Sequence, residues 1–305
     1  MEMMMRRRLS LFSCFLCVLA TRCFGLSAQH ETKSLYVVGC GVLGTAVARE
    51  WLSRRPDAEV VAETLTTRRH EELESFGCRA VLRDERGDGT YDAVLIASPP
   101  SAYADGDEYA REVEAAAKLC KGSFLMTSSG GVFLEDDGGI CVETSPVTDS
   151  PRALKLLAAE KAALRYGAVL RLAGLYNLNR GAHVVWLQKE RVDAVAESLV
   201  NLVHYDDAAI AAVNALEGRL EKGKLYLAAD MHPRSRQAIA DAAQQHPKFC
   251  DMSRVTFTGS PQNSRGPKGK GRVYDCSYTM ETLDWHPRYP TIEDYFSSQQ
   301  DDEEL

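Results

Sequence analysis

Short apolar runs and stretches of helical spacing alternate along the first 130 residues. Leu35, Tyr36, Val37 and Val38 form the first run, the pattern of a strand buried on both faces. Residues 45–52 follow as a helix, and 59–66 as a second strand. A helix over 70–76 ends at Gly77, a natural C-terminal stop. A third strand is expected at 79–82, a polar turn at 83–90, and a fourth strand at 91–97, stopped by Pro99 and Pro100. An Ala- and Glu-rich helix over 109–119 precedes a fifth strand at 123–128. Alternation of this kind predicts an α/β fold, a parallel sheet with helices on both faces.

Further along the pattern thins. Residues 133–151 read as a polar loop, 152–166 as a helix with Leu154, Leu157, Ala158 and Leu164 on its apolar face, and 168–172 as a sixth strand. Residues 191–200 read as helix or loop, 206–216 and 235–245 as helices, and 224–229 as a strand. A Gly- and Lys-rich loop over 259–271 and the segments 272–275 and 283–296 close the chain, and the acidic tail 297–305 is expected to be disordered.

The first strand runs into Gly39, Gly41 and Gly44, spaced G-x-G-x-x-G, with a helix behind them. Strand, glycine turn and helix together are the context of a dinucleotide site. The first glycine permits a tight turn, the second lets backbone approach a pyrophosphate, and the third lets helix pack on strand. Cys40, Val42 and Leu43 fill the turn, whose N–H groups and helix dipole suit phosphate. The alternative is a glycine-rich turn that binds nothing. With this motif the fold reads as a Rossmann doubly wound parallel sheet over 31–296, with a small C-terminal substrate lobe roughly at 176–206 and 230–296. The end of the second strand chooses between the nicotinamide cofactors. Glu63 lies about where an acid favours NAD, and Thr66, Thr67, Arg68 and Arg69 lie where basic and hydroxyl groups favour NADP. The balance leans to NADP.

Composition narrows the partners. The chain carries −7 overall, but its first thirty residues hold four arginines against Glu2, so the remainder carries −10. That charge excludes nucleic acid and anionic membranes as main partners and leaves a small-molecule substrate. Arg6, Arg7 and Arg8 precede an apolar stretch over 9–20, so residues 1–30 read as a targeting leader cut somewhere in 20–28. The stretch is too short for a membrane span, and none is expected once the leader is gone. Phe24 beyond the cut resembles the aromatic residue in bipartite plastid leaders, which favours a plastid over the secretory pathway or the mitochondrion. Six cysteines outside the leader are scattered without a C-x-x-C pair, which predicts neither a metal site nor a disulfide framework. The sequence 218–224 imitates a P-loop but runs into Leu225 and a strand, and the cations at 265–272 read as a solvated loop.

Six segments in order carry a resemblance to a known family. They are Ala97-Ser98-Pro99-Pro100, Thr127 to Phe133, Glu143 to Pro146, Arg171 to Tyr176, Asn201 to Asp207, and Lys270 to Pro290. Together with the glycine turn they make the chain similar to an extended short-chain dehydrogenase/reductase, the group of nucleotide-sugar epimerases and dehydratases. The G-x-G-x-x-G spacing points to its atypical members. The resemblance implies that 97–100 line the cofactor and that Ser129 is the hydroxyl bonded to the substrate oxygen, although a strand-end serine that only satisfies backbone reads the same way.

The family's Tyr-x-x-x-Lys pair is missing. Aligning Glu160 with the glutamate of the catalytic helix puts Arg152 in the tyrosine slot and Leu156 in the lysine slot, with Lys155 turned about 100° away. Tyr176 and His204 remain as candidate acids, His204 with a structural role as its alternative. Two functions follow: an NAD(P)-dependent oxidoreductase or epimerase/dehydratase-like enzyme working without the pair, or a non-catalytic NAD(P)-binding regulatory or assembly protein.

Overall fold

The computed structural model describes residues 34–260 and 269–301. The leader and most of the loop over 259–271 lie outside the described residues. Seven parallel strands form the central sheet. β1 (Ser34–Val38), β2 (Glu59–Thr64), β3 (Arg79–Leu82), β4 (Tyr91–Ile96) and β5 (Cys120–Ser129) are joined by strands Ala168–Leu172 and Leu225–Ala228. Across the sheet the order is β3-β2-β1-β4-β5, then Ala168–Leu172, then Leu225–Ala228. This is the doubly wound Rossmann order, which reverses direction between β1 and β4.

The two-residue period of a strand splits β1 between two cores. Leu35 and Val37 pack into one cluster with α1 (Val42–Arg54) and helix Tyr205–Asn214. Tyr36 and Val38 pack into the other, with α3 (Gly106–Ala117) and α4 (Pro151–Ala163). The short α2 (His70–Ser75) lies between β2 and β3. Asp105 caps α3 by accepting from Glu108 N at 2.8 Å. Ser150 caps α4, whose first residue is Pro151, a residue with no N–H to lose there.

Several segments differ from the sequence reading. The expected polar loop at 133–151 contains strand Asp137–Cys141, which pairs with the distant strand Gly271–Tyr274. Its Gly138 and Gly139 carry no strand propensity, so that pairing makes the strand. Residues 191–200 form neither helix nor plain loop but two-residue strands at each end. Helices Ala182–Lys189 and Ser277–Leu283 were not anticipated. Helix Ile292–Asp301 runs through the start of the expected disordered tail, because Ile292, Tyr295 and Phe296 are held in the apolar core of the lobe. Residues 302–305 lie outside the described residues.

Candidate functional site

The turn after β1 is built as the glycine spacing requires. Gly39 adopts φ +76°, and a Cβ there would sit 2.5 Å from the Cβ of Ser98. The chain leaving β4 therefore passes directly against it. A Cβ on Gly44 would come 3.0 Å from Val37 Cγ1, which is how closely α1 lies on β1. At Gly41 the nearest atom to such a Cβ is Gly39 O at 3.9 Å, so that side is open. α1 has no side-chain cap and no acid in its first turn. Its first N–H groups, at Val42 and Leu43, have no helical acceptor and stand at the positive end of the dipole.

A cleft of about 280 Å³ opens at this point. Gly39, Gly41, Val42 and Leu43 line one wall, and Ala97, Ser98, Pro99 and Pro100 line another. Cys40 and Gly44 face inward. The Cys40 N–H donates to Glu63 O at 2.7 Å, and burial pushes its thiol up to about 12, so the residue serves through its backbone. Ser129 borders the same cleft, and its Oγ accepts from Gly131 N at 3.1 Å. The hydroxyl satisfies backbone as an acceptor and keeps its proton to donate.

Glu63 requires a correction. Its carboxylate is fully buried on the α3 face of the sheet, away from the cleft. Tyr36 Oη donates to it at 2.8 Å, Arg86 through Nε and Nη2 at 2.6 and 2.7 Å, and Arg83 Nε at 3.3 Å. Arg86 also pairs with Glu112 on α3. A carboxylate so committed ties β2 to residues 83–86 and has nothing left for a ribose. Thr66, Thr67 and Arg68 lie exposed on the turn after β2, beside the glycine turn in the sheet order. Arg69 pairs with Glu72, whereas among the described residues Arg68 has no ion pair or hydrogen bond.

On α4, Arg152 and Leu156 border the cleft, and Lys155 Nζ turns away to donate to Tyr103 O at 2.8 Å. Glu160 is buried, accepting from Ser128 Oγ at 2.6 Å and paired with Arg171 at 2.7 Å. Arg171 continues to Glu143 O, and the Glu143 carboxylate accepts from Thr279 at 2.7 Å. This buried chain joins β5, α4, strand Ala168–Leu172 and helix Ser277–Leu283 behind the site. It gives a physical reason for family-like residues that the sequence reading left without roles.

Tyr176 and His204 are corrections as well. They sit side by side on paired strands Gly174–Tyr176 and Leu202–His204, inside the lobe and not on the cleft. The Tyr176 hydroxyl reaches Thr291 O at 3.5 Å, and burial pushes its pKa far above the ordinary phenol. His204 Nδ1 accepts from Asp206 N, its ring packs on Tyr289 and Tyr295, and burial lowers its pKa to about 4. Two residues that the sequence reading passed over do reach the cleft, Arg180 and Tyr205. Tyr205 stands directly after strand Leu202–His204, which the sequence reading did not expect, so no local signal pointed to it. Among the described residues no cluster of three His, Cys, Asp or Glu could hold a metal. None of the described helices is long and apolar enough to cross a membrane.

No family model and no curated protein matches the sequence. Solved structures do. A functionally unknown conserved protein from Silicibacter pomeroyi superposes with a TM-score of 0.71 at 18% identity, over 89% of this chain and 99% of that one. The ADP-L-glycero-D-manno-heptose-6-epimerase of Helicobacter pylori gives 0.69 at 15% identity, over 90% and 97%. The UDP-glucuronic acid 4-epimerase of Bacillus cereus, solved with UDP-glucuronic acid and NAD, gives 0.69 at 17% identity, over 88% and 98%. Over about nine-tenths of its length, this chain therefore shares the Rossmann-type fold of these epimerases.

Proposed function

We propose that the chain binds NAD(P) in the cleft and works as an oxidoreductase or epimerase/dehydratase-like enzyme of the atypical type. The observation that carries this reading is the uncapped start of α1, open at Gly41 onto a cleft that also holds the Ser129 hydroxyl. The residues suit the cofactor: the N–H groups of Val42 and Leu43 would hold the pyrophosphate, and Ala97 to Pro100 would line its path. Unpaired Arg68, with Thr66 and Thr67, favours the extra phosphate of NADP, since Glu63 is committed elsewhere. When bound, the nicotinamide would supply or accept hydride, one proton with two electrons, at a substrate carbon. Ser129 would donate a hydrogen bond to the substrate oxygen. The substrate class is a small carbonyl or hydroxyl compound, or one resembling the nucleotide sugars named for the epimerases of like fold.

A second reading, a non-catalytic NAD(P)-binding regulatory or assembly protein, is favoured by one observation. Arg152 and Leu156, the residues aligned by sequence with the family's tyrosine and lysine, border the cleft. Fluorescence titration with NADPH and NADH, followed by a carbonyl and sugar-nucleotide panel, separates the two. Turnover that falls in Ser129→Ala supports the enzyme. Tight binding without turnover supports the second reading, and no binding of either cofactor removes both. The leader reading adds delivery to a plastid, which a fluorescent fusion of residues 1–30 tests.

A further inference from the structure

Reduction of a carbonyl requires a proton at its oxygen, and α4 offers neither the tyrosine nor the lysine that the family uses. Tyr205 and Arg180 border the same cleft as Gly41 and Ser129. Tyr205 opens helix Tyr205–Asn214 directly behind strand Leu202–His204, and only 9% of it is exposed, so the core fixes its ring. Arg180 follows the neighbouring strand Gly174–Tyr176. Reciprocal backbone hydrogen bonds with Asn177, at 2.7 and 3.2 Å, hold its turn. Arg180 lines the cleft together with Tyr205, and its positive charge acts on the phenol, opposing the rise that burial causes.

The remaining titratable groups on the cleft are Tyr109 and Arg152. Tyr109 is fully buried, and its hydroxyl already donates to Ser98 O at 2.8 Å. Arg152 cannot give up a proton near neutral pH. Among the described residues lining the cleft there is no carboxylate.

We propose that Tyr205 is the proton donor of this site, with the Arg180 guanidinium in the part of the missing lysine. The assignment rests on the NAD(P)-dependent reading above. In the reductive direction the carbonyl carbon would gain hydride, a proton with its C–H bonding pair, from a bound reduced nicotinamide. The C–O π pair moves onto oxygen, which takes the proton from Tyr205 Oη, and the tyrosine O–H bond breaks. The phenolate so formed faces the Arg180 cation and recovers its proton from solvent. Burial raises the Tyr205 phenol and Arg180 opposes that rise, so the hydroxyl stays protonated at neutral pH, as a donor must.

The test uses the full chain with 3-fluorotyrosine, which brings phenols into a pH range the fold tolerates. The Tyr205 fluorine signal is the one lost in Tyr205→Phe. Its titration midpoint should rise by about one unit in Arg180→Ala and return in Arg180→Lys, as expected for loss and recovery of one nearby cation. With NADPH affinity within twofold of the parent, Tyr205→Phe should lower turnover by about 10²-fold or more. A midpoint unmoved by Arg180→Ala, or full turnover in Tyr205→Phe, overturns the assignment while the oxidoreductase reading stands. A parent chain that binds NADPH and reduces nothing overturns both.

Discussion

Gly39 and Gly41 stand two residues apart under opposite constraints. Alanine at Gly39 meets both a left-handed backbone and Ser98, so Gly39→Ala should cost roughly 2–4 kcal/mol of stability in denaturant melts. Gly41 has φ on the ordinary side and open space around it, so Gly41→Asp should melt like the parent. Its new charge would face the site meant for phosphates, and NADPH titration should show affinity down by at least tenfold. Undiminished affinity would remove the cofactor site from this turn. Glu63 gives the matching test on β2. Glu63→Gln removes the buried carboxylate that Arg83 and Arg86 share and leaves Arg86 only Glu112, which should cost about 3 kcal/mol and leave the NADPH to NADH preference unchanged. A change of preference without loss of stability would return Glu63 to the ribose. Arg68→Ala should do the converse, weakening NADPH about tenfold and sparing NADH, with no effect on melting.

Among the elements, those that carry their own apolar run were readable, however distant their strand partners. β1, β2, β4 and β5, with strands Ala168–Leu172 and Leu225–Ala228, announced themselves as apolar runs because both faces of these parallel strands are buried, and the half-buried edge strand β3 was readable from its short apolar run alone. Helical spacing likewise puts Arg152, Leu156 and Glu160 on one side of α4, and the first two border the cleft. What escaped was set by remote contacts. Asp137–Cys141 is a strand only because Gly271–Tyr274 lies beside it. Glu63 reads as a cofactor acid until arginines 20 and 23 residues later close on it. Tyr176 and His204 lie on strands that face the lobe, a direction no local pattern encodes. The closing helix gives a test at this scale. Phe296 is 2% exposed beside Phe249 and His183, so Phe296→Ala should lose about 3–5 kcal/mol or detach the lobe.

At the scale of the whole molecule, three buried groups set opposing pH dependences. Burial lowers His183 and His204 to about 4 from an ordinary 6.5. Between those values the unfolded chain takes up protons that the folded one refuses, so stability present above 6.5 is lost as pH falls to 4. Each histidine contributes about 3 kcal/mol to that loss. Asp230 acts in the other sense. Burial raises its carboxyl to about 7 from 3.8, so the folded chain keeps a proton that the unfolded one releases. Its contribution is complete below 3.8 and is lost as pH rises through 7. The parent should therefore lose stability only gently on acidification from 6.5 to 4, one histidine being offset by the aspartate. Asp230→Asn removes the offset while its side-chain oxygen can still accept from His232 N, now 3.0 Å from the carboxylate. The variant should gain on the order of 2–4 kcal/mol at pH 8, match the parent near pH 4, and fall more steeply in between. Guanidinium melts at pH 4, 6 and 8 read all three values. A variant no more stable than the parent at pH 8 would mean that Asp230 is charged in the fold at no cost, and the offset would vanish.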